Sequence, residues 1–394
     1  MRHHIYLSPG MFGFGRLASY DYFTHVERAL VTRLRARGDD VVTHVAHVSP
    51  TASIRRRALK LTELVASTCD PTNPRAGPIH LIGHSTGGLD ARLVASPSVA
   101  LAVRPTALAW RGRLASVTTM NAPHYGTPLA SFFTTASGER ALRALSALTV
   151  VALSFGSPPL AVARAVVAAF SGVDRSIGLK VEVFDRATEA LIHLLDDVRG
   201  TDLREYVDAI AGDQGAMVQL MPEAMDLYIA GVEDRPDVVY QSTASMAPSP
   251  SARMLLQELW HPWSVVSSAV FAMIYTLTSR LDRRYPCAAS HAGDDNEQLL
   301  ARVFGRPPGA RANDGAVPIR SQIWGKLVWA GYGDHLDVLG HFRDSSPVKE
   351  RAMAELEGDP PHVDWLYSRS DFGRPQFASL MDAIVEGIIA ASPT

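Results

Sequence analysis

The sequence predicts an α/β fold, with a mostly parallel, twisted sheet, helices on both faces and a helical cap. Three observations favour this class. Short apolar segments alternate with segments of helical periodicity as far as residue 125. Strands that alternate with helices in this way pair in parallel through right-handed crossovers. One apolar segment ends in a Gly-His-Ser-Thr-Gly turn that leads into a helix-compatible segment, and Ala- and Leu-rich sequence interrupts the alternation after residue 131.

The elements follow from apolar periodicity and turn signals. Strands are expected at Ile5–Ser8, Asp40–Val48, Pro78–Ile82, Leu114–Met120, Val238–Ser242 and Leu327–Trp329, and helices at Leu17–Arg37 and Thr51–Ser67. Gly38 is a typical stop for the first helix. We expect one domain over residues 1–394, with helical cap or lid insertions at about 131–235 and 246–290.

Composition excludes several classes of function. Hydrophobic residues make up 47% of the chain and charged residues 20%, which indicates a well-buried globular protein. The net charge of −2 gives no electrostatic reason to expect a nucleic-acid partner. Arg55–Arg57 is interpreted as a solvated helix face. No transmembrane span is expected, because Gly156–Pro159 interrupts the one apolar stretch of sufficient length.

Cysteine content and the first residues bear on the cellular compartment. Cys69 and Cys287 can form one disulfide or remain thiols, and the sequence leaves both possibilities open. No signal peptide is visible before the first predicted strand, which favours a cytoplasmic location. Secretion stays open if the first residue results from processing.

The Gly83–Gly87 turn lies between a predicted strand and a predicted helix, as the nucleophile elbow of a serine hydrolase requires. Glycines two residues either side of Ser85 keep side chains out of the crowded bend. In a parallel sheet this position lies at the carboxyl edge, where ligands bind. Ser85 is therefore the predicted nucleophile.

A serine nucleophile needs a base, and a histidine oriented by a carboxylate fits that role. In this architecture the chain order is serine, acid, histidine. Asp314, in an Asn-Asp-Gly turn, and His335, in a glycine-flanked loop, supply that order. Competing bases are His291 and His341, and competing acids are Asp334 and Asp337.

Two backbone N–H groups are expected to bind the oxyanion that forms during acyl transfer. Thr86 follows the nucleophile and supplies the first. Met11 supplies the second, from the glycine-rich loop after the first strand. A dinucleotide site is the alternative for this loop, but Ala18 occupies the last glycine position of that motif.

Five segments and a tyrosine-rich helix start carry a resemblance to a known family. They are Gly10–Phe14, Tyr20–Tyr22, Ile82–Gly88, Asn121–Thr127, Asn313–Pro318 and Asp334–Asp337. In this order they resemble the secreted triacylglycerol lipases of the Pseudomonas and Burkholderia type, which are α/β-hydrolases. The resemblance implies a lipase or carboxylesterase that cleaves apolar acyl esters through an acyl-enzyme. Under this hypothesis the helical insert between Ser131 and Asp213 acts as a lid, and its apolar face covers the pocket or makes transient contact with a lipid interface.

The same resemblance implies a structural calcium ion, although the chemistry itself needs no cofactor. Asp294 and Asp337 match the two aspartates that hold calcium in the family, together with backbone carbonyls. The chain departs from the family at His341, where a side-chain oxygen is expected, and at Pro9, where the family has histidine.

Other functions remain open on the same fold. An acyltransferase or a thioesterase would use the same acyl-enzyme, and a non-catalytic binding module is a more distant alternative. For the predicted lid, the alternative is a set of helices that bury their apolar faces in the core.

Overall fold

The structure is a computed structural model. It describes residues 1–11, 16–17, 20–70, 77–155, 186–191, 208–210, 212–251, 262–289, 292–347, 349, 351 and 360–392. Several predicted features lie outside these residues: Phe12–Gly15, Ala18, Gly156–Pro159, His291 and parts of both helical insertions. No helix in the described ranges has the length and apolar character needed to cross a bilayer.

Six strands in the described residues form one parallel sheet. They are β1 (Arg2–Ser8), β2 (Asp40–Val45), β3 (Ile79–His84), β4 (Leu114–Met120), β5 (Val239–Met246) and β6 (Lys326–Tyr332). Their order across the sheet is β2-β1-β3-β4-β5-β6, and every neighbouring pair is parallel. Each strand overlaps a predicted strand, so the predicted parallel sheet is confirmed.

The main helices alternate with these strands and then fill the insertions. They are α1 (Thr24–Ala36), α2 (Ile54–Thr68), α3 (Thr86–Ala95), α4 (Pro128–Phe133), α5 (Ala136–Phe155), α6 (Gly215–Gln219), α7 (Pro222–Gly231), α8 (Pro262–Thr278), α9 (Asp294–Phe304) and α10 (Arg374–Ala391). α2 packs on α3, and α1 packs on α10. Because every residue of β3 is buried, helices cover both faces of the sheet there.

The predicted start of the first helix is wrong. Arg16–Leu17 and Tyr20–Asp21 form a short antiparallel pair, and α1 begins only at Thr24. The residues before the helix include Tyr22, whose hydroxyl is hydrogen-bonded to His84 in the centre of the molecule. A tertiary contact of this kind overrides the local helical preference.

The interpretation of Arg55–Arg57 as a solvated face is wrong at its third residue. Arg55 and Arg56 are exposed, but Arg57 is 1% exposed and faces the core from α2. Both cysteines are buried free thiols. The division into a single domain with two insertions stays a prediction.

Candidate active site

Ser85 occupies a strained turn between β3 and α3. Its backbone has φ +54° and ψ −128°, in a region that L-residues adopt at a cost of about 1–3 kcal/mol. Two backbone hydrogen bonds hold the turn: Ser85 N–H donates to Met120 O at 2.8 Å, and Gly88 N–H donates to Ser85 O at 3.0 Å. A Cβ at Gly83 would lie 2.1 Å from Gly87 O, so the turn closes only with glycine there.

The predicted acid and base are in contact. His335 Nδ1 donates to Asp314 Oδ2 at 2.7 Å, and both residues are buried. The backbone N–H of His335 also donates to Asp314 O at 2.9 Å. Since the proton on Nδ1 is committed to the carboxylate, Nε2 of the neutral ring carries the lone pair that a base requires.

Three further donors converge on the Asp314 carboxylate. Oδ1 accepts the N–H groups of Ala316 at 2.9 Å and Val317 at 2.7 Å. Oδ2 also accepts Asn121 Nδ2 at 3.0 Å. Asn121 follows β4 and was not assigned a role from sequence, because nothing local indicates that it reaches a residue 193 positions away. The donors fix the orientation of the carboxylate.

The competing residues have other partners. Asp334 Oδ1 accepts the N–H groups of Leu336 and Asp337, which shapes the turn after His335. Asp337 Oδ2 accepts Asp334 N–H at 2.8 Å and Ser370 Oγ at 2.6 Å. His341 is buried with its ring 5.8 Å from that of His25, and burial lowers its pKa to about 3. The fourth competitor, His291, is outside the described residues.

Ser85 and His335 line one small cavity. Its walls include Met11, Tyr22, Pro123, Thr127, Leu129, Ala130, Phe133, Leu220, Ala316, Val317 and Leu336. The space open to the centre of a water molecule is about 30 Å³, which is enough for one or two waters.

A second cavity adjoins the first and shares His335 with it. Apart from His335 and Thr149, its walls are apolar: Leu129, Phe133, Leu145, Val270, Ile274, Ala316, Leu336, Trp365 and Leu366. Several of these residues lie on α5 and α8, within the two insertions predicted from sequence. The cavity therefore offers an apolar environment directly beside the predicted base, His335.

The predicted oxyanion donors flank Ser85. Thr86 is the first residue of α3, and Met11 lines the cavity with Ser85. The loop passes very close to Ser85, because a Cβ at Gly10 would lie 2.7 Å from Ser85 Cβ. Their N–H groups as oxyanion donors remain a prediction.

A buried ion pair joins this loop to the elbow helix. Arg57 Nη2 lies 2.9 Å from Asp90 Oδ2, and both side chains are fully buried. Arg57 also donates to Pro9 O, while Ser8 Oγ donates to Asp90 Oδ2 at 2.9 Å. Burial raises the pKa of Asp90, and the Arg57 charge opposes that shift. These contacts hold the start of the loop. The resembled family has a histidine at the position of Pro9.

The two aspartates that the resemblance assigns to a calcium ion, Asp294 and Asp337, lie on different elements. Asp294 begins α9, whereas the contacts of the Asp337 carboxylate are with Asp334 and Ser370. Within the described part of the chain, no three histidine, cysteine or acidic side chains converge to hold a metal ion. Calcium dependence stays a prediction and enters no step below.

Part of the sequence is similar to a known lipase. No family model matches the chain. A triacylglycerol lipase of Vibrio cholerae is 39% identical over 129 residues, which are 33% of this chain and 35% of the relative. The chain thus matches about a third of that relative's length.

Comparison with solved structures extends over the whole chain. The Staphylococcus hyicus lipase aligns with a TM-score of 0.51 at 14% identity, over 99% of this chain and 96% of that one. EstA from Clostridium botulinum aligns with a TM-score of 0.49 at 18% identity, over 96% and 87%. The S. hyicus alignment and the parallel sheet confirm the predicted α/β-hydrolase fold.

Proposed function

We propose that this chain is a carboxylic ester hydrolase, a lipase or esterase similar to the Pseudomonas and Burkholderia lipases. One observation carries the proposal. A serine in a strained elbow shares a cavity with a histidine whose Nδ1 is hydrogen-bonded to a buried aspartate. The three residues have the chain order that the fold uses for acyl transfer.

The chemistry follows from the proton positions. Ser85 Oγ attacks the ester carbonyl carbon while His335 Nε2 takes the hydroxyl proton, and the carbonyl electrons move to oxygen. Asp314 stabilises the imidazolium that results. The N–H groups of Met11 and Thr86 bind the oxyanion. His335 then returns the proton to the alcohol as the C–O bond breaks, and a water repeats the sequence on the acyl-enzyme.

The apolar second cavity supports an acyl chain as the part of the substrate that is bound. Its walls would bury methylene groups at about 0.8 kcal/mol each. The cavity beside Ser85 holds only one or two waters, so helices that line the two cavities must move to admit an ester. We infer that α5 and α8 form part of a lid that opens toward a lipid interface.

Hydrolysis of p-nitrophenyl esters from C2 to C16 by the wild type and Ser85→Ala tests the proposal. Loss of the nucleophile should lower kcat by at least about 10⁴-fold, since its proton and its bond to carbon are both required. Circular dichroism should show an unchanged fold. Near wild-type turnover by Ser85→Ala would show that another residue attacks the ester.

Two substitutions on α8 test the acyl pocket in the same assay. Val270 lines the apolar cavity, whereas Val266 is buried one turn earlier without lining it. Val270→Phe should shift the preference toward shorter chains, and Val266→Phe, the matched control, should not. An equal shift in both variants would contradict the assignment of this cavity. Addition of a competing alcohol, with ester products measured, distinguishes a hydrolase from an acyltransferase.

A further inference from the structure

A chain of buried hydrogen bonds crosses the site between the oxyanion loop and the base. Gly10 N–H donates to Tyr22 Oη at 3.3 Å, and Tyr22 Oη lies 2.7 Å from His84 Nδ1. His84 Nε2 lies 2.9 Å from the backbone carbonyl oxygen of His335. We call this set, Gly10, Tyr22, His84 and His335, the Tyr22–His84 bridge.

Each hydrogen bond of the bridge has only one possible direction. A carbonyl oxygen only accepts, so His84 Nε2 carries a proton and donates to His335 O. Nδ1 of the neutral His84 ring then accepts, and the Tyr22 hydroxyl donates to it. The oxygen of Tyr22 is left to accept Gly10 N–H. Burial holds the pKa of His84 well below its usual value, which agrees with a neutral ring.

The bridge joins the two loops whose separation matters for acyl transfer. Gly10 precedes Met11, the proposed oxyanion donor, and lies against Ser85. His335 is the proposed base, and its carbonyl is held by His84. Gly10 and His335 belong to different segments, and the bridge links their backbones through His84, the residue directly before Ser85.

We propose that Tyr22 and His84 are positioning residues that fix the oxyanion loop relative to the catalytic histidine. The proposal rests on the proposed function and adds two residues to it. In this role both residues act through the loops that they hold rather than on the substrate itself. Tyr22 Oη and both ring nitrogens of His84 are committed within the bridge, which leaves these atoms no proton to exchange with the reacting ester.

Tyr22→Phe removes one hydroxyl and leaves Gly10 N–H and His84 Nδ1 without partners in a buried site. Misplacement of the oxyanion loop should lower kcat by about tenfold, with KM within about twofold, because positioning is lost in the transition state. Affinity for a trifluoromethyl ketone, which forms an oxyanion at Ser85, should fall in proportion to kcat/KM. Tyr22→Phe, His84→Ala and the double variant should give non-additive losses if the bridge acts as a unit.

Tyr6→Phe is the matched control. Tyr6 is also fully buried, and its hydroxyl is hydrogen-bonded to Thr68 at 2.9 Å, away from the cavity. Its kcat and trifluoromethyl ketone affinity should equal those of the wild type. If the role of Tyr22 were merely structural, Tyr22→Phe would lower the melting temperature of the protein as Tyr6→Phe does. It would then change neither kcat nor the affinity for the trifluoromethyl ketone.

Amide hydrogen exchange tests the bridge without depending on ester hydrolysis. In Tyr22→Phe, exchange should accelerate both at residues 8–11 and at residues 334–337, and in Tyr6→Phe at neither. If the wild type cleaves no ester, the proposed function fails while exchange still decides on the bridge. Unchanged exchange at residues 334–337, or wild-type kcat in an active enzyme, would overturn the bridge alone.

Discussion

The two halves of the candidate site are held in place by different forces. In the elbow half, residues 79–95, every residue from Ile79 to Val94 is buried and the turn is shaped by backbone crowding at glycine. In the acid–base half, residues 313–337, Asp314 and His335 are fixed by hydrogen bonds from several segments. The close packing of the elbow half is part of the fold itself, whereas each hydrogen bond of the acid–base half can be removed by a single substitution. Apart from Ser85 itself and the bridge residue His84, changes in the first half should affect stability, and changes in the second should affect catalysis.

Asp314→Asn should produce the largest effect and break the acid–base half alone. The amide keeps the size of the carboxylate but can donate to His335 Nδ1, which favours the tautomer with the proton on Nε2. That tautomer cannot act as the base, so kcat should fall by about 10⁴-fold. Steady-state kinetics on a short p-nitrophenyl ester measures the loss. A melting temperature near that of the wild type and slower labelling by a fluorophosphonate should accompany it, and a kcat within tenfold of the wild type would refute Asp314 as the acid.

The sequence predicted the elbow half more completely than the acid–base half. The strand, the glycines and the helix after Ser85 are contiguous, so their pattern can be recognised within one short segment of the sequence. Asp314 and His335 followed from chain order, but Asn121 did not, because its partner is 193 residues away. The buried position of Arg57 has a local signal in the sequence. It shares the apolar face of α2 with Ile54, Ala58 and Leu61, at helical spacing.

Arg57→Met should produce the next largest effect, on the elbow half. It leaves Asp90 as an uncompensated buried carboxylate and removes the donor to Pro9 O, which should cost about 3–5 kcal/mol of unfolding free energy. Urea unfolding at neutral pH measures it. Arg56→Met is the matched control, because the Arg56–Asp213 pair has an arginine that is 71% exposed.

The control should change the unfolding free energy by less than about 1 kcal/mol, as exposed ion pairs do. Equal losses in the Arg56 and Arg57 variants would contradict the importance of the buried pair. If Arg57→Met instead kept full stability but lost activity, the separation of steric and catalytic halves would be wrong.

The smallest expected effect is on the pH dependence of folding stability, through a histidine in the elbow half. His80 lies on β3 and is fully buried, with Nδ1 2.8 Å from Ser116 Oγ and Nε2 3.2 Å from His3 Nδ1. Burial is the main reason that its pKa is lowered to about 3, and the charges of His3 and His4 lower it further. Since the unfolded ring titrates near pH 6.5, the unfolded state binds more protons between about pH 6.5 and 3.

Folding stability from His80 is therefore complete above about pH 6.5 and is lost as the pH falls toward 3. The slope is at most about 1.4 kcal/mol per pH unit, so lowering the pH from 7.5 to 5 should cost the wild type about 2 kcal/mol more than His80→Gln. Urea unfolding of both proteins at the two pH values gives this difference directly. Because His80 touches none of the reacting groups, kcat should keep the same pH dependence in the variant. If His80→Gln changed the pH dependence of kcat but left the pH dependence of the unfolding free energy as in the wild type, protonation in the elbow strand would affect the acid–base loops. The two halves would then not be independent.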